Sequence, residues 1–200
     1  HGEHGTVETL DGIRSVSVDS TKPPASIVAE MAVPLFKPED LPAAIPGARE
    51  NLLDYPLVIE GYGERVVSTV NTGSTHTILW VNEMPDDALF FQVSPLIENH
   101  ELFPERTSVM WTRVISSGLE APPLLDVRIW ERGAGETLGC GTGACAAAVL
   151  ALAQNKVSGD SVAVRSKGGT LHILSRGKDA SLRMTGPAVT IYQGIVKAAS

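Results

Sequence analysis

The chain has 200 residues, of which 43% are hydrophobic and 20% are charged, an ordinary composition for a globular protein with enough apolar side chains for a core. Its formal net charge of −7 excludes the basic surface used to bind nucleic acid or an anionic membrane. No apolar run approaches the ~18 residues of a membrane span, and the close spacing of Cys140 and Cys145 favours free thiols in the reducing cytoplasm over a disulfide.

The first 33 residues are predicted to form three strands. Thr6–Leu10 and Ile13–Asp19 flank Asp11-Gly12, a dipeptide typical of tight hairpin turns. A third strand, Ser26–Val33, follows a proline-containing turn. Residues 1–33 therefore favour a small antiparallel unit.

The next segment, residues 34–56, contains five prolines and few periodic apolar residues, which is typical of a linker. Within it, Pro46–Leu53 has the composition for one turn of helix. A longer unit over residues 57–185 should follow, and Val189–Val196 should form a last strand within residues 186–200. The strands expected in the longer unit lie near 57–61, 64–71, 76–82, 107–116, 124–131, 161–166, 170–175 and 180–184.

Two helices are predicted among these strands, one around Phe90–Asn99 and one from Thr142 to Gln154. The second is apolar on nearly every side, so it should be buried. Strands outnumber helices. The pattern therefore predicts an α+β fold in which a curved, mostly antiparallel sheet wraps around a central helix.

The most informative run of the sequence is Trp130–Val149, which joins a predicted strand to the buried helix through a glycine-rich turn. Cys140 lies where the helix begins. Free backbone N–H groups and the positive end of the helix dipole favour an anion at that place. We therefore expect Cys140 to have a lowered pKa and to be a reactive thiol.

Other interpretations of this turn are less favoured. A dinucleotide-binding turn would have an acidic residue at the end of the next strand, where Arg165 leads into Ser166 and Lys167, and the Gly-Lys-Ser/Thr tripeptide of a phosphate loop does not occur. A lone cysteine is more often structural. Glu131, Arg132 and Glu136 lie close in sequence to Cys140 and favour the reactive interpretation, whereas Cys145 lies deeper in the helix and is interpreted as a core residue.

The same run closely resembles the active-site motif of the diaminopimelate epimerases, which are pyridoxal-independent amino-acid epimerases. Other segments resemble that family in the same order and span nearly the whole chain: Thr6–Arg14, Val70–Val81 with its histidine His76, Phe103–Val109 and Met184–Ala188. The resemblance implies the diaminopimelate-epimerase fold, whose two lobes are alike.

The resemblance also implies a function. LL-diaminopimelate would be converted to the meso form, for lysine and cell-wall precursor synthesis, by two cysteines on opposite faces of the α-carbon, without a cofactor or metal. Cys140 matches one of these cysteines. Glu131 and His76 would contact the reacting end, and Arg132 would pair with the distal carboxylate. The N–H groups of Gly141, Thr142 and Gly143 suit the charge of the carbanion.

Three positions depart from the family. Ser74 and Ser108 stand where the family has substrate-contacting asparagines, and Thr75 stands in place of a proline. Serine retains a donor and an acceptor but has less reach than an amide. Two alternatives therefore remain: a related cofactor-independent racemase or isomerase acting on another amino acid, and an amino-acid-binding lobe without turnover.

The family's other catalytic cysteine lies in an N-terminal lobe, and both cysteines of this chain belong to the 140–145 segment. We therefore expect a fragment, inactive alone, that needs the N-terminal segment of the same protein. It would contain trailing strands of the first lobe (1–33), a linker (34–56), the catalytic lobe (57–185) and a returning strand (186–200). We also expect a homodimer.

Overall fold

The computed structural model describes residues 4–9, 12–22, 24–45, 47, 49–116, 122–177 and 179–195. The strands of this part of the chain are β1 (His4–Thr9), β2 (Gly12–Ser20), β3 (Ala25–Glu30), β4 (Leu52–Ile59), β5 (Gly63–Asn71), β6 (Thr75–Trp80), β7 (Ser108–Ser116), β8 (Leu124–Glu131), β9 (Gly135–Thr137), β10 (Ser161–Ser166), β11 (Gly169–Leu174) and β12 (Arg183–Ala188). Its helices are α1 (Asp87–Glu98), α2 (Gly141–Ala153) and a short 3-10 helix at Pro38–Asp40.

These strands form one sheet in the order β1-β2-β3-β12-β11-β10-β8-β7-β6-β5-β4, with β9 paired to β8. Neighbouring strands are antiparallel except for β6 with β7 and β8 with β10, which are parallel. The predicted α+β class with a mostly antiparallel sheet is confirmed.

Helix α2 is the centre of the fold. Residues Ala144–Ala151 are all buried, and α2 contacts strands β5, β6, β7, β8, β10 and β11. The small alanine side chains let strands approach on several sides, and a helix that is apolar all round is stable only when it is enclosed. Cys145 lies inside this core with 0% exposure, which confirms that it is a core residue.

Helix α1 covers the other face of the sheet. Ile78 belongs to the core around α2, whereas its neighbour Leu79 packs in the core of α1 with Phe90. This alternation follows from the two-residue period of a strand. Strand β6, whose residues Thr75–Leu79 are all buried, is therefore covered on both faces.

Helix α1 begins at Asp87, one turn before its predicted start. The carboxylate of Asp86 accepts the N–H of Leu89 at 2.8 Å and caps the first turn. Aspartate at this position is a helix-start signal, and the apolar periodicity hid it because the first turn is exposed.

Two other segments differ from their predictions. Pro46–Leu53 is not helical in its described part, since Leu52 already begins β4 and pairs with Thr69. The last strand lies at Arg183–Ala188 rather than at Val189–Val196, where residues 189–195 form no strand and Val196 is outside the described residues. Arg183–Ala188 pairs with both β3 and β11. These two neighbours supply the hydrogen-bond partners that the backbone N–H and C=O groups of a strand require.

Strands β1 and β2 pair as predicted, although Leu10 and Asp11 of their turn lie outside the described residues. These strands join the rest of the sheet through β3 and β12. Every described residue of β1 is exposed, and Ile13 on β2 is 70% exposed. The apolar side chains of this hairpin therefore lie at an uncovered end of the sheet.

Candidate active site

Cys140 is the N-cap residue of α2, with an extended backbone (φ −137°, ψ 113°). Its Sγ accepts the N–H of Gly143 at 3.4 Å. A Cβ at position 143 would lie 2.7 Å from Cε of Met110, so glycine lets the helix start pack against β7. Three N–H groups are predicted to face an anion. That of Gly143 donates to the Cys140 sulfur, whereas those of Gly141 and Thr142 have no acceptor inside the helix.

His76 lies on β6, completely buried. Its Nδ1 donates to the backbone carbonyl of Ser74 at 2.8 Å. Since a carbonyl oxygen can only accept, Nε2 is left as the acceptor of the neutral ring. That nitrogen lies 3.3 Å from Thr142 Oγ1 and 3.7 Å from Cys140 Sγ. Residues separated by more than 60 positions in the sequence therefore converge on the helix start.

The imidazole of His76 is electrically neutral at physiological pH. Burial lowers its pKa from 6.5 to about 4, and the positive charge of Arg132 acts in the same direction, against the bond to Ser74. At neutral pH the uncharged Nε2 can therefore accept a hydrogen bond from a hydroxyl, a thiol or an ammonium group.

The pKa of the Cys140 thiol is raised, which corrects the expectation of a lowered value. Burial is the largest cause. The bonds from Thr142 and Gly143 lower the pKa, but the negative charge of Glu131 and a hydrogen bond with it add to the effect of burial. Cys140 therefore rests as a thiol in the free site.

Glu131 is the last residue of β8, and its carboxylate accepts the hydroxyl of Thr137 on the paired strand β9. Its negative charge and a hydrogen bond with it help to raise the pKa of the Cys140 thiol. Glu136, which the sequence placed near the cysteine, turns away instead. Its carboxylate accepts from Arg128 at 2.8 Å and from Lys167 at 2.6 Å, and these bonds lower its pKa.

Arg132 and Ser108 are joined to each other. The Arg132 N–H donates to Ser108 Oγ at 3.1 Å, and its guanidinium donates through Nη1 to the carbonyl of Glu105 at 3.0 Å. Ser108 is buried and lies beside His76 in the parallel β6–β7 pair, whereas Arg132 is exposed. Arg132 thus stands at the outer edge of the group that contains Cys140 and His76.

Some contributing residues were not singled out from the sequence. Thr72 donates to the carbonyl of Thr142 at 2.9 Å and ties the β5–β6 turn to α2. Met184 on β12 packs against Gly141, where a Cβ would lie 3.1 Å from its sulfur. Both residues belong to segments that carried the family resemblance, so the motif contained them but their role depends on contacts across the fold.

A cavity of about 370 Å³ adjoins the site, lined by residues of β1–β3 together with Thr72, Gly73 and Thr142. A larger cavity of about 570 Å³ lies near the 3-10 helix and contains none of the site residues. The described residues contain no cluster of three His, Cys, Asp or Glu side chains placed to bind a metal ion. No helix in the same part of the chain is long and apolar enough to cross a membrane.

The neutral state of His76 predicts a pH dependence of stability. Its folded pKa of about 4 lies below the value of 6.5 expected after unfolding, so the unfolded chain binds more protons between these values. The free energy of unfolding should therefore be fully maintained above pH 6.5 and fall by about 3 kcal/mol as the pH decreases toward 4. Urea unfolding at several pH values measures it.

The His76→Gln variant is the control, because glutamine can still donate to the Ser74 carbonyl but does not titrate. The difference in unfolding free energy between pH 7 and pH 4.5 should be smaller in the variant by most of this amount. Identical pH slopes in the two proteins would contradict the assignment of a buried, neutral His76.

The model of the diaminopimelate epimerase family matches residues 68–191 of the chain. The diaminopimelate epimerase of Azotobacter vinelandii is 36% identical over 191 residues, covering 96% of this chain and 64% of the relative. That of Desulfovibrio desulfuricans is 36% identical over 197 residues, covering 94% and 65%. The chain thus spans slightly less than two thirds of the length of these curated relatives.

Solved structures share the fold at low sequence identity. A hydroxyproline epimerase from Agrobacterium vitis with bound trans-4-hydroxy-L-proline has a TM-score of 0.62 and 16% identity, covering 94% of this chain and 57% of the other. A probable proline racemase from Agrobacterium radiobacter K84 with bound carbonate has a TM-score of 0.65 and 15% identity, covering 98% and 62%. The chain therefore shares its fold with these two proteins.

Proposed function

Because this chain belongs to the diaminopimelate epimerase family, we propose that it contributes Cys140 as one of two acid–base groups that invert the α-carbon of diaminopimelate. The observation that carries the proposal is the position of the Cys140 thiol, at the start of α2 and 3.7 Å from the neutral nitrogen of His76. A thiol so placed can exchange a proton with a bound substrate without a cofactor.

In the proposed reaction the thiolate of a second cysteine removes the α-proton, so its S–H bond forms as the C–H bond breaks. The electron pair remains on the substrate and spreads into the α-carboxylate. Cys140 then gives its proton to the opposite face and becomes a thiolate. The raised pKa of Cys140 suits this direction, because the resting residue must hold the proton.

The start of α2 suits the charge that develops. The N–H groups of Gly141 and Thr142 have no helical acceptor and can donate to the carboxylate as it gains negative charge. The carboxylate of Glu131 and Nε2 of His76 can accept from the substrate's α-ammonium group. The two ends of the reacting amino acid would thus meet complementary partners.

Arg132 is the proposed partner of the distal carboxylate. Its backbone is held by Ser108 while its guanidinium reaches the outer edge of the site. A planar guanidinium can bind a carboxylate through two parallel hydrogen bonds. The separation of Arg132 from the buried Cys140–His76 pair fits a substrate with a charged group at each end.

The second cysteine cannot be Cys145. Its side chain has 0% exposure within the core of α2, and burial raises its pKa to about 12. We therefore propose that the partner thiol comes from polypeptide beyond these 200 residues, as the family resemblance implies. We propose that such polypeptide approaches the site through the cavity lined by β1–β3 and Thr142.

Isotope exchange tests the proposal. A protein that contains these 200 residues and the partner thiol is incubated with LL-diaminopimelate in D₂O. The meso product should form with one deuteron at the inverted carbon. Binding without deuterium incorporation would instead support an amino-acid-binding lobe without turnover. The two free cysteines are consistent with our proposal that the protein works in the reducing cytoplasm. The predicted homodimer is a separate expectation, and sedimentation of the protein measures it.

A related racemase with another substrate is the second candidate, and it is favoured by the serines at positions 74 and 108. We expect Ser108→Asn to preserve turnover of diaminopimelate or to lower its KM, because the amide oxygen can still accept the Arg132 N–H while its NH₂ adds a donor. An added amide contact corresponds to about 1 kcal/mol. Steady-state kinetics measure the effect.

Ser74→Asn should behave in the same way, since the backbone carbonyl of residue 74, rather than its side chain, holds His76. Ser20→Asn, on β2 outside the group described above, is the matched control. A large loss of activity in either of the first two variants would show that the serines fit a different amino acid, and a substrate panel would then identify it.

A further inference from the structure

Glu98 is a buried carboxylate that the proposed reaction does not use. It is 5% exposed and is the last residue of α1. Both features are unfavourable for a carboxylate, because burial removes water and the C-terminal end of a helix carries partial negative charge. Its presence there requires strong compensating hydrogen bonds.

Three donors surround the Glu98 carboxylate. The indole Nε1 of Trp130 donates to Oε2 at 2.6 Å, the backbone N–H of Gly133 donates to Oε1 at 2.7 Å, and Arg106 Nη1 donates to Oε1 at 3.1 Å. Bonds to an ionised acceptor in a buried site are about twice as strong as neutral ones. Glu98 thus joins α1 to the turn after β8.

Two of these donors, Trp130 and Gly133, flank the proposed site residues Glu131 and Arg132 in the sequence. Trp130 immediately precedes Glu131, and Gly133 immediately follows Arg132. Gly133 has φ +78°, a conformation that favours glycine, so the turn has a defined shape at the point where Glu98 binds it. Holding both neighbours fixes the backbone from which Glu131 and Arg132 project.

Glu98 also contacts the start of the neighbouring strand. Its backbone carbonyl accepts the N–H of Thr107 at 3.3 Å, and its side chain pairs with Arg106. Ser108, which follows directly, accepts the N–H of Arg132. One residue therefore connects the strand ends that carry three of the proposed substrate-contacting side chains.

We propose that Glu98 is a positioning residue, which sets the location of Glu131 and Arg132 relative to Cys140 without contacting the substrate. The inference deepens the proposed function and depends on it for the kinetic test alone. The chemical reactivity of Cys140 provides a second test that requires no assumption about the substrate.

The first experiment measures alkylation of Cys140 by iodoacetamide against pH, in the 200-residue chain and in its Glu98→Gln variant. Cys145 is buried, so the reaction reports on Cys140. The groups that face Cys140 are Glu131, His76 and Thr142. When the turn loosens, the charge of Glu131 moves away and water enters, so the midpoint of the profile should shift to lower pH.

Asp126→Asn is the matched control. Asp126 lies on β8, as Glu131 does, but at the other end of the strand. Its carboxylate accepts hydrogen bonds from Arg113 and Arg165, so it is a partly buried, arginine-paired carboxylate away from the site. Its loss should reduce the melting temperature and leave the alkylation profile unchanged. Equal profiles in Glu98→Gln and the wild type, or equal shifts in both variants, would overturn the inference.

The second experiment measures kinetics in the protein that contains the partner thiol. Glu98→Gln should reduce kcat/KM by about 100-fold, because small displacements of binding groups have effects of that order. KM should rise, since Arg132 is displaced, whereas partial unfolding would reduce the maximal rate at constant KM. Unaltered KM in Glu98→Gln would overturn the inference.

Trp130→Phe covers the case in which Glu98→Gln does not fold. It removes one donor to Glu98 and retains an aromatic ring against Phe90 and Phe91. We expect a smaller alkylation shift in the same direction, and no shift would count against Glu98. If the alkylation shift occurs but the wild-type protein does not epimerise diaminopimelate, the positioning role stands and the proposed function fails.

Discussion

Replacing Cys140 with serine is expected to reduce the rate of epimerisation by about 10³- to 10⁴-fold, since a hydroxyl neither releases nor accepts a proton readily at neutral pH. The fold should survive. Serine is a favourable N-cap residue, and its oxygen can accept the Gly143 N–H that the sulfur accepts in the native chain. The measurement is meso product formation per folded molecule.

Cys145→Ser provides the control within the same helix. It places a hydroxyl in the apolar core of α2, which should reduce the free energy of unfolding by about 1–3 kcal/mol. Activity per folded molecule should change little. Equal losses of activity in the two variants, or a loss confined to Cys145→Ser, would contradict the assignment of Cys140.

The 200-residue chain by itself is expected not to invert any amino acid. Of its two cysteines, Cys140 reaches the site and Cys145 lies inside the core. A single acid–base group acts on one face of the α-carbon, so it can at most exchange the proton slowly with retention. Chiral separation of products after incubation in D₂O distinguishes exchange from inversion.

Adding the N-terminal segment that the family resemblance implies, as a separate polypeptide, should restore inversion. That segment should also cover apolar side chains that are exposed here, including Ile13 at 70% and Ile191 at 90% exposure. Exposed apolar side chains favour association, so the light scattering of the 200-residue chain should decrease when the segment is added. Full epimerase activity from the 200-residue chain without any addition would refute the two-cysteine proposal.

Local patterns predicted much of the fold. The alanine-rich, uniformly apolar segment after Cys140 forms the buried helix α2, and the hairpin of β1 and β2 pairs as expected. Such patterns succeed because amphipathicity and turn chemistry act within a few residues. The prediction of a strand at Val189–Val196 was wrong because strand pairing depends on distant segments. Pairing with β3 and β11 places the last strand at Arg183–Ala188.

The properties of the site were likewise predicted in part from the sequence and decided in part by the tertiary structure. The sequence by itself determined that Cys140 begins a helix, that Cys145 is in the core and which family the chain resembles, because these follow from residue types and order. Only the tertiary structure decided that burial and Glu131 raise the pKa of Cys140, and that Glu98 holds the turn after β8. Desolvation and electrostatic interactions depend on which distant residues become neighbours, and the spacing of residues along a chain does not contain that information.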